Sequence, residues 1–119
     1  MTPDKKFVFA VFAVFDELFG GNFERYKTSL SKPVNNDVDP CARARNSLAV
    51  LSDAQRADVF DFFKIIIADS ASVVLGTLDG VHFPNNLEGE FVVTCDGEEI
   101  QGDFMDIFIE KAQEENIYG

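Results

Sequence analysis

The segment SDAQRADVFDFFKIIIAD, residues 52–69, is the strongest structural signal in the chain. Ser52 and Gln55 match a capping box, in which the two side chains satisfy free amides at a helix N-terminus. At about 100° per residue, apolar side chains share one broad face and aspartates share the other. The segment therefore predicts a long amphipathic helix that continues to about Leu78, unless Asp69-Ser70-Ala71-Ser72 or Gly76 breaks or kinks it. The apolar face consists of Val59, Phe60, Phe62, Phe63, Ile66 and Ile67.

A second long helix is predicted upstream, from about Pro3 to Phe19. Thr2 is its expected N-cap, and the pair Gly20-Gly21 is expected to end it, because glycine readily adopts the left-handed conformation that follows helices. Its interior, FVFAVFAVFDELF, is apolar on nearly every side. We therefore expect several neighbours to bury it; a strand is the competing interpretation. The apolar run lacks a convincing cleavage site, which favours a helix over a leader peptide.

The chain between these helices contains the stretch SKPVNNDVDP, which is rich in residues that break helices and strands. It predicts a surface loop at residues 31–40. The pair Asp39-Pro40 then restarts a helix. This third helix is expected to end near Leu51. A short amphipathic segment before the loop completes the N-terminal half.

Downstream of the long central helix, turn residues introduce a β-hairpin and a last helix. The dipeptide Asp96-Gly97 is favoured in two-residue hairpins and pairs Cys95 with Glu98. Asp103 is the expected cap of the final helix. Together the elements predict an α+β fold, a mostly helical single domain over residues 1–119 with a C-terminal β-hairpin and a closing helix. No segment reaches the length of about 20 apolar residues that a membrane-spanning helix needs.

The charge is uneven along the chain. The 119 residues carry 21 acidic and 10 basic side chains, a net charge of −11. Residues 1–50 have a net charge of +1 and residues 51–119 one of −12, and residues 79–119 hold 11 acids against Lys111 alone. Such acidity argues against direct binding to nucleic acid or to anionic membranes.

The last helix collects part of this charge on one side. Its acids follow the spacing i, i+3, i+7, i+11, which predicts a single stripe along the helix. Ile107 falls beside them and is a candidate apolar anchor, although neighbours that a helical wheel omits could bury it. Glu98 and Glu99 at the hairpin tip, with Glu88 and Glu90 on its first strand, could extend the negative surface. The alternative is a merely solvated, solubilising face. The predicted binding residues are Glu98, Glu99, Asp103, Asp106, Ile107, Glu110 and Glu114.

The sequence matches no catalytic or metal-binding motif. The single histidine, His82, lies between two turn signals. An EF-hand reading of residues 35–46 fails because Pro40 stands where glycine is required and Asn46 stands where a bidentate Glu is required. We therefore predict a chain that is not an enzyme and has no cofactor and no metal. Cys41 and Cys95 are expected to be buried free thiols in a reducing cytoplasm, with one bridge between them as the alternative.

These features favour a protein that acts by binding another protein. The chain resembles inhibitor and immunity-type proteins and nucleic-acid mimics in its small size, its regional acidity and its lack of catalytic motifs. This is a likeness of composition only. The leading hypothesis is a cytoplasmic inhibitor that neutralises a basic protein partner, such as a nuclease toxin or a nucleic-acid-binding enzyme. The alternative is a structural or assembly protein that forms a homodimer through its Phe-rich helices. A small carboxylate enzyme is the least favoured hypothesis.

Overall fold

The computed structural model describes residues 3–119, with side chains from Phe7 onward, and confirms the α+β fold. Thr2, the expected cap of the first helix, lies outside the described residues. Helices dominate, and a two-stranded antiparallel hairpin precedes the last helix. The elements are α1 (Pro3–Asp16), a π-helical segment (Glu17–Phe23), α2 (Glu24–Leu30), α3 (Pro40–Ala49), α4 (Asp53–Asp79), β1 (Thr94–Cys95), β2 (Glu98–Glu99) and α5 (Phe104–Glu114).

The first helix does not end at Gly20-Gly21, so that prediction is wrong. The chain stays helical through both glycines, within the π-helical segment that joins α1 to α2. A π-turn is wider than an α-turn and shifts the side chains that follow it around the helix. The apolar residues on either side of it accordingly enter different core clusters: Phe15 packs in the first and Phe23 in the second.

Two hydrophobic clusters form the core. The first lies between α1, α5 and the C-terminal half of α4, around the fully buried Phe108. The second lies between the segment around Phe23, α3 and the N-terminal half of α4. Helix α4 is common to both, and it presents Phe60 to the second cluster and Ala68 to the first. Because these residues are eight apart, they lie about 80° apart around the helix, so α4 uses different faces along its length.

Both ends of α4 follow local sequence rules. The Ser52 hydroxyl accepts a hydrogen bond from the Gln55 amide at 3.1 Å, and the Gln55 side chain accepts one from the Ser52 amide at 2.9 Å. The predicted capping box is therefore confirmed. The helix runs past Gly76 without a break and ends at Gly80, whose φ of 75° is the left-handed conformation that suits glycine.

The hairpin has the predicted register. Cys95 pairs with Glu98, and the Ile100 amide donates to the Val93 carbonyl at 2.9 Å. Asp96 and Gly97 both have positive φ, as a type I′ turn requires. One hairpin face lies on the first core cluster through Val93, Cys95 and Ile100.

Asp103 does not cap α5 through its side chain, contrary to the prediction. The carboxylate of Asp79, at the end of α4, takes that role. Its Oδ1 accepts a hydrogen bond from the Gly102 amide at 2.7 Å, and its Oδ2 accepts one from the Met105 amide at 2.8 Å. The start of α5 is thus attached to the end of α4.

The outer face of α1 is not covered by other elements, so the expectation that several neighbours bury this helix is wrong. Val11 and Phe15 are buried, whereas Phe9 is 58% exposed and Val14 is 46% exposed. Helix α1 packs on α5 from one side only. The protein therefore presents an apolar helix face at its surface.

Candidate functional site

The predicted acidic stripe lies on the outer side of α5. Asp103, Asp106, Glu110 and Glu114 are all exposed. The opposite side of the same helix is buried in the first core cluster through Phe104, Phe108 and Ala112. Packing of α5 therefore fixes the direction in which the four carboxylates point. The helical spacing in the sequence was sufficient to find this arrangement.

The stripe keeps its negative charge. Among residues 7–119, no ion pair joins a stripe carboxylate to a lysine or arginine. Lys111, the cation of this helix, instead pairs with Glu115, with Nζ 3.1 Å from Oε1. Its ammonium group also lies 5.2 Å from the ring centre of Phe12 on α1 and 5.8 Å from that of Phe15. Lys111 is therefore engaged beside the stripe, and the stripe faces solvent without a counter-charge from these residues.

Ile107 is half-buried against the first core cluster, so it is not an exposed anchor. Helix α1 covers one side of it, which a wheel of α5 alone omits. A shallow crevice of about 180 Å³ lies between the two helices at this point. Its wall is apolar and its rim is charged, an arrangement that suits an amphipathic side chain with an aliphatic stem and a charged end. The lining residues are Val8, Phe12, Ile107, Glu110, Lys111 and Glu114.

The hairpin acids extend the stripe less than expected. Glu98 and Glu99 are both exposed, but they are consecutive residues of β2. Side chains of consecutive strand residues point to opposite faces, so the two carboxylates cannot lie on one surface. Glu98 is on the face that also carries Ile100, and Glu99 is on the other face. The predicted site residues are thus divided between the α5 stripe and two separate hairpin positions.

A groove that the sequence did not indicate lies between α2, the start of α3 and α4. It encloses about 430 Å³, and its walls are almost entirely apolar. Two lysines lie over aromatic rings beside it: Lys27 is 6.0 Å from the ring centre of Phe60, and Lys64 is 5.2 Å from that of Phe23. The groove is lined by Phe23, Tyr26, Lys27, Leu30, Pro40, Cys41, Phe60, Phe63, Ile66 and Ile67.

The remaining reactive side chains are dispersed. Cys41 and Cys95 are free thiols, but Cys41 is exposed and Cys95 is half-buried, so the expectation that both are buried is wrong. The Cys41 sulfur lies 3.3 Å from the Ser29 hydroxyl oxygen. His82 is exposed beside Gly76. Within the described part of the chain, no three His, Cys, Asp or Glu side chains come together in a way that could hold a metal ion.

Comparison with known proteins gives no relative: no family model, curated protein or solved structure matches this chain. In residues 3–119, none of the helices combines the length and the apolar character needed to cross a bilayer. The candidate binding surfaces of the chain are the α5 stripe with its crevice, the groove, and the exposed apolar helix faces.

Proposed function

We propose that this chain is a cytoplasmic, non-enzymatic protein that inhibits a basic protein by covering its positively charged surface. The partner would be a nuclease toxin or a nucleic-acid-binding enzyme, whose own ligand carries phosphate charges. The supporting observation is the α5 stripe: Asp103, Asp106, Glu110 and Glu114 are exposed and lack ion pairs with cations of residues 7–119. The proposal needs no chemistry beyond binding.

The stripe presents a row of negative charges, as a nucleic-acid strand does. Successive carboxylates of the stripe lie three or four residues apart, about 4.5–6 Å along the helix axis. Phosphates of one strand lie about 3.4 Å apart along the duplex axis, so the likeness lies in the sign and the linear order of the charges and not in their repeat. Lysines and arginines that bind phosphates could contact the carboxylates instead. Long-range attraction between the two surfaces would accelerate their encounter, and added salt would weaken it.

The crevice beside the stripe supplies a place for one side chain of the partner. Val8, Phe12 and Ile107 would contact the aliphatic stem of a lysine or arginine, and Glu110 or Glu114 would pair with its charged end. Lys111 already uses this chemistry within the chain, since its ammonium group lies over the Phe12 ring. A buried apolar contact of this kind adds specificity that a charged stripe alone lacks.

The test uses the full-length protein to capture partners from an extract of its source cells, followed by kinetics with the purified partner. The triple variant Asp106→Asn, Glu110→Gln, Glu114→Gln removes three charges of the stripe without shortening the side chains. We expect the captured protein to be basic, with a pI above about 9. We also expect the variant to associate at least about tenfold more slowly, because rim charges act chiefly on the association rate.

A matched control removes the same number of charges elsewhere, through Glu24→Gln, Asp37→Asn and Asp58→Asn, all exposed positions outside α5. This control is expected to keep most of the association rate of the wild type. Equal slowing in both triple variants would mean that net charge, and not the stripe, governs binding. An association rate that is unchanged between about 50 mM and about 500 mM salt would contradict the electrostatic mechanism.

Self-assembly is the second candidate function, and the shape of the molecule favours it. The Cα radius of gyration is 17.6 Å, with extents of 50 × 33 × 25 Å. A compact domain of this length has a radius of gyration of about 13.5 Å. The two long helices accordingly leave large apolar side chains exposed, including Phe9 on α1 and Phe62 on α4. Packing against another subunit would bury them.

A further inference from the structure

Helix α4 has an exposed apolar stripe that extends beyond the groove. Phe62, Ile66 and Val73 are 58%, 46% and 45% exposed. Their spacing of i, i+4 and i+11 puts them within about 40° of one another around the helix and along about 17 Å of its length. The stripe arises because α4 turns one face to the second core cluster and another to the first, which leaves this third face exposed among the described residues.

The stripe is continuous with the groove between α2, α3 and α4. Ile66 belongs to both, since it lines the groove and stands in the middle of the stripe. Phe62 lies one turn before it on the same face of α4. The apolar stripe of α4 and the groove therefore form one apolar surface, which combines a protruding ridge with a neighbouring depression. We call this combined surface the α4 face.

The exposed area of the chain is larger than that of a typical monomer of its mass. The accessible surface is 8010 Å². A monomeric protein of 13.2 kDa exposes about 6,400 Å². The excess of about 1,600 Å² exceeds the contribution of about 800 Å² that each partner makes to a standard interface. One standard interface would therefore remove about half of this excess, so the chain exposes more than enough surface for one partner of similar size.

The distribution of charge favours a second copy at this face. The acid-rich residues 79–119 form the hairpin and α5, which pack on the first core cluster. Helices α2 and α3, which form one wall of the groove, belong to residues 1–50, whose net charge is +1. Lys27 and Lys64 also lie beside the groove. On α4 itself, the exposed carboxylates of Asp58 and Asp69 flank the apolar stripe and offset the charge of the two lysines. Two copies that meet at the α4 face would therefore bury a surface whose charges nearly cancel, and the acid-rich hairpin and α5 would stay outside the contact.

We propose that the α4 face binds the same face of a second copy of this chain and forms a twofold symmetric dimer. In such an isologous interface one patch supplies both sides, so a ridge and a depression within the same patch complement each other. The proposal rests on self-assembly, the second candidate function, and it names α4 as the interface. It leaves the acidic stripe of α5 accessible, so it is compatible with inhibition of a basic partner.

The test compares two phenylalanines with the same exposure. Phe62 on the α4 face and Phe9 on α1 are each 58% exposed, so Phe62→Asp and Phe9→Asp have similar costs for the folded monomer. Mass would be measured by sedimentation equilibrium in about 0.5 M sodium chloride, which screens the net negative charge. We expect the wild type and Phe9→Asp to be dimers. We expect Phe62→Asp to dimerise at least about 30-fold more weakly, the effect of losing an aromatic hot spot.

Adjacent valines provide a second pair of variants on α4 itself. Val73 belongs to the apolar stripe of α4, whereas Val74 is 59% exposed and points about 100° away from that stripe. Val73→Asp is expected to weaken the dimer and Val74→Asp to leave it intact, with far-UV circular dichroism confirming that each variant is folded. This pair keeps the test valid if Phe62→Asp fails to fold.

Two results would overturn the proposal in different ways. A monomeric wild type at the highest concentration would remove both self-assembly and the α4 interface. A dimer that Phe9→Asp disrupts and that Phe62→Asp and Val73→Asp leave intact would keep self-assembly, but it would move the interface to α1. In either case the inhibitor proposal would be judged separately, by the variants of the α5 stripe.

Discussion

Asp79→Ala should destabilise the protein more than any other single change of an exposed or half-exposed acid. Asp79 is the last residue of α4, and its two carboxylate oxygens accept hydrogen bonds from the amides of Gly102 and Met105, 23 and 26 residues later. These amides are at the start of α5, where helix amides lack partners within the helix and the helix dipole favours a negative charge. The substitution removes both acceptors at once.

The size of the effect follows from the two hydrogen bonds. A hydrogen bond to a charged group contributes about 1.5–3 kcal/mol, and loss of an N-terminal cap costs about 0.5–2 kcal/mol. Asp79 is partly exposed, so water will replace some of the lost interaction. We therefore expect the free energy of unfolding to fall by about 2–3 kcal/mol for Asp79→Ala. Asp79→Asn retains one acceptor oxygen and should lose roughly half as much.

The assay is urea denaturation followed by far-UV circular dichroism, with Asp103→Ala as the matched control. Asp103 is the cap that the sequence predicts, but its side chain makes no capping hydrogen bond. Asp103→Ala should therefore cost less than about 0.5 kcal/mol, the usual range for a surface substitution. Amide exchange at Met105 should accelerate only in the Asp79 variants. A larger loss in Asp103→Ala than in Asp79→Ala would refute the assignment of the cap.

Three further changes test other features of the fold. A Cβ at Gly76 would lie 2.7 Å from the Met105 sulfur, so Gly76→Val should lower the free energy of unfolding by about 1–3 kcal/mol in urea denaturation. Burial and the hydrogen bond to Asp69 raise the pKa of Tyr118 above its ordinary value of 10.0. The stability linked to this phenol is therefore present below pH 10.0 and is lost as the pH rises through the folded pKa. In a Tyr26→Phe background, Asp69→Ala should lower the pKa of Tyr118 in an ultraviolet titration. Ser52→Ala should cost about 1 kcal/mol through loss of the α4 cap.

Each of these predictions has a contrary outcome. Unchanged stability of Gly76→Val would mean that α4 and α5 approach less closely than the Gly76–Met105 geometry requires. A Tyr118 titration that is the same with and without Asp69 would remove the carboxylate as a cause of the raised pKa. A loss in Ser52→Ala no greater than that in Ser47→Ala, an exposed serine inside α3, would contradict the importance of the cap.

The sequence predicted the acidic stripe of α5 but not the groove. The stripe lies on one helix, so the spacing of Asp106, Glu110 and Glu114 was enough to find it. The groove needs three helices to meet, and no local pattern in the chain signals it. Ile107 lies between these cases: its position on α5 was predicted, but its burial depends on α1.

Errors in the fold have the same origin. Gly20-Gly21 is typical of a helix end, yet the chain stays helical from α1 to α2. Burial of Phe15 on one side of the glycines and of Phe23 on the other holds this segment in place. Likewise, Asp103 has the position of a cap, but Asp79 supplies two better-placed acceptors from another helix. Tertiary contacts outweighed a local preference in both places.

The sequence by itself determined the features that depend on near neighbours: the capping box at Ser52, the type I′ turn at Asp96-Gly97 with its register, and the acidic side of α5. Each requires residues only a few positions apart, whose geometry the backbone sets. Tertiary structure alone decided the Asp79 cap, the burial of Ile107, and the exposure of Phe62 on α4. These depend on which distant segments come into contact, and that outcome reflects the packing of the whole chain.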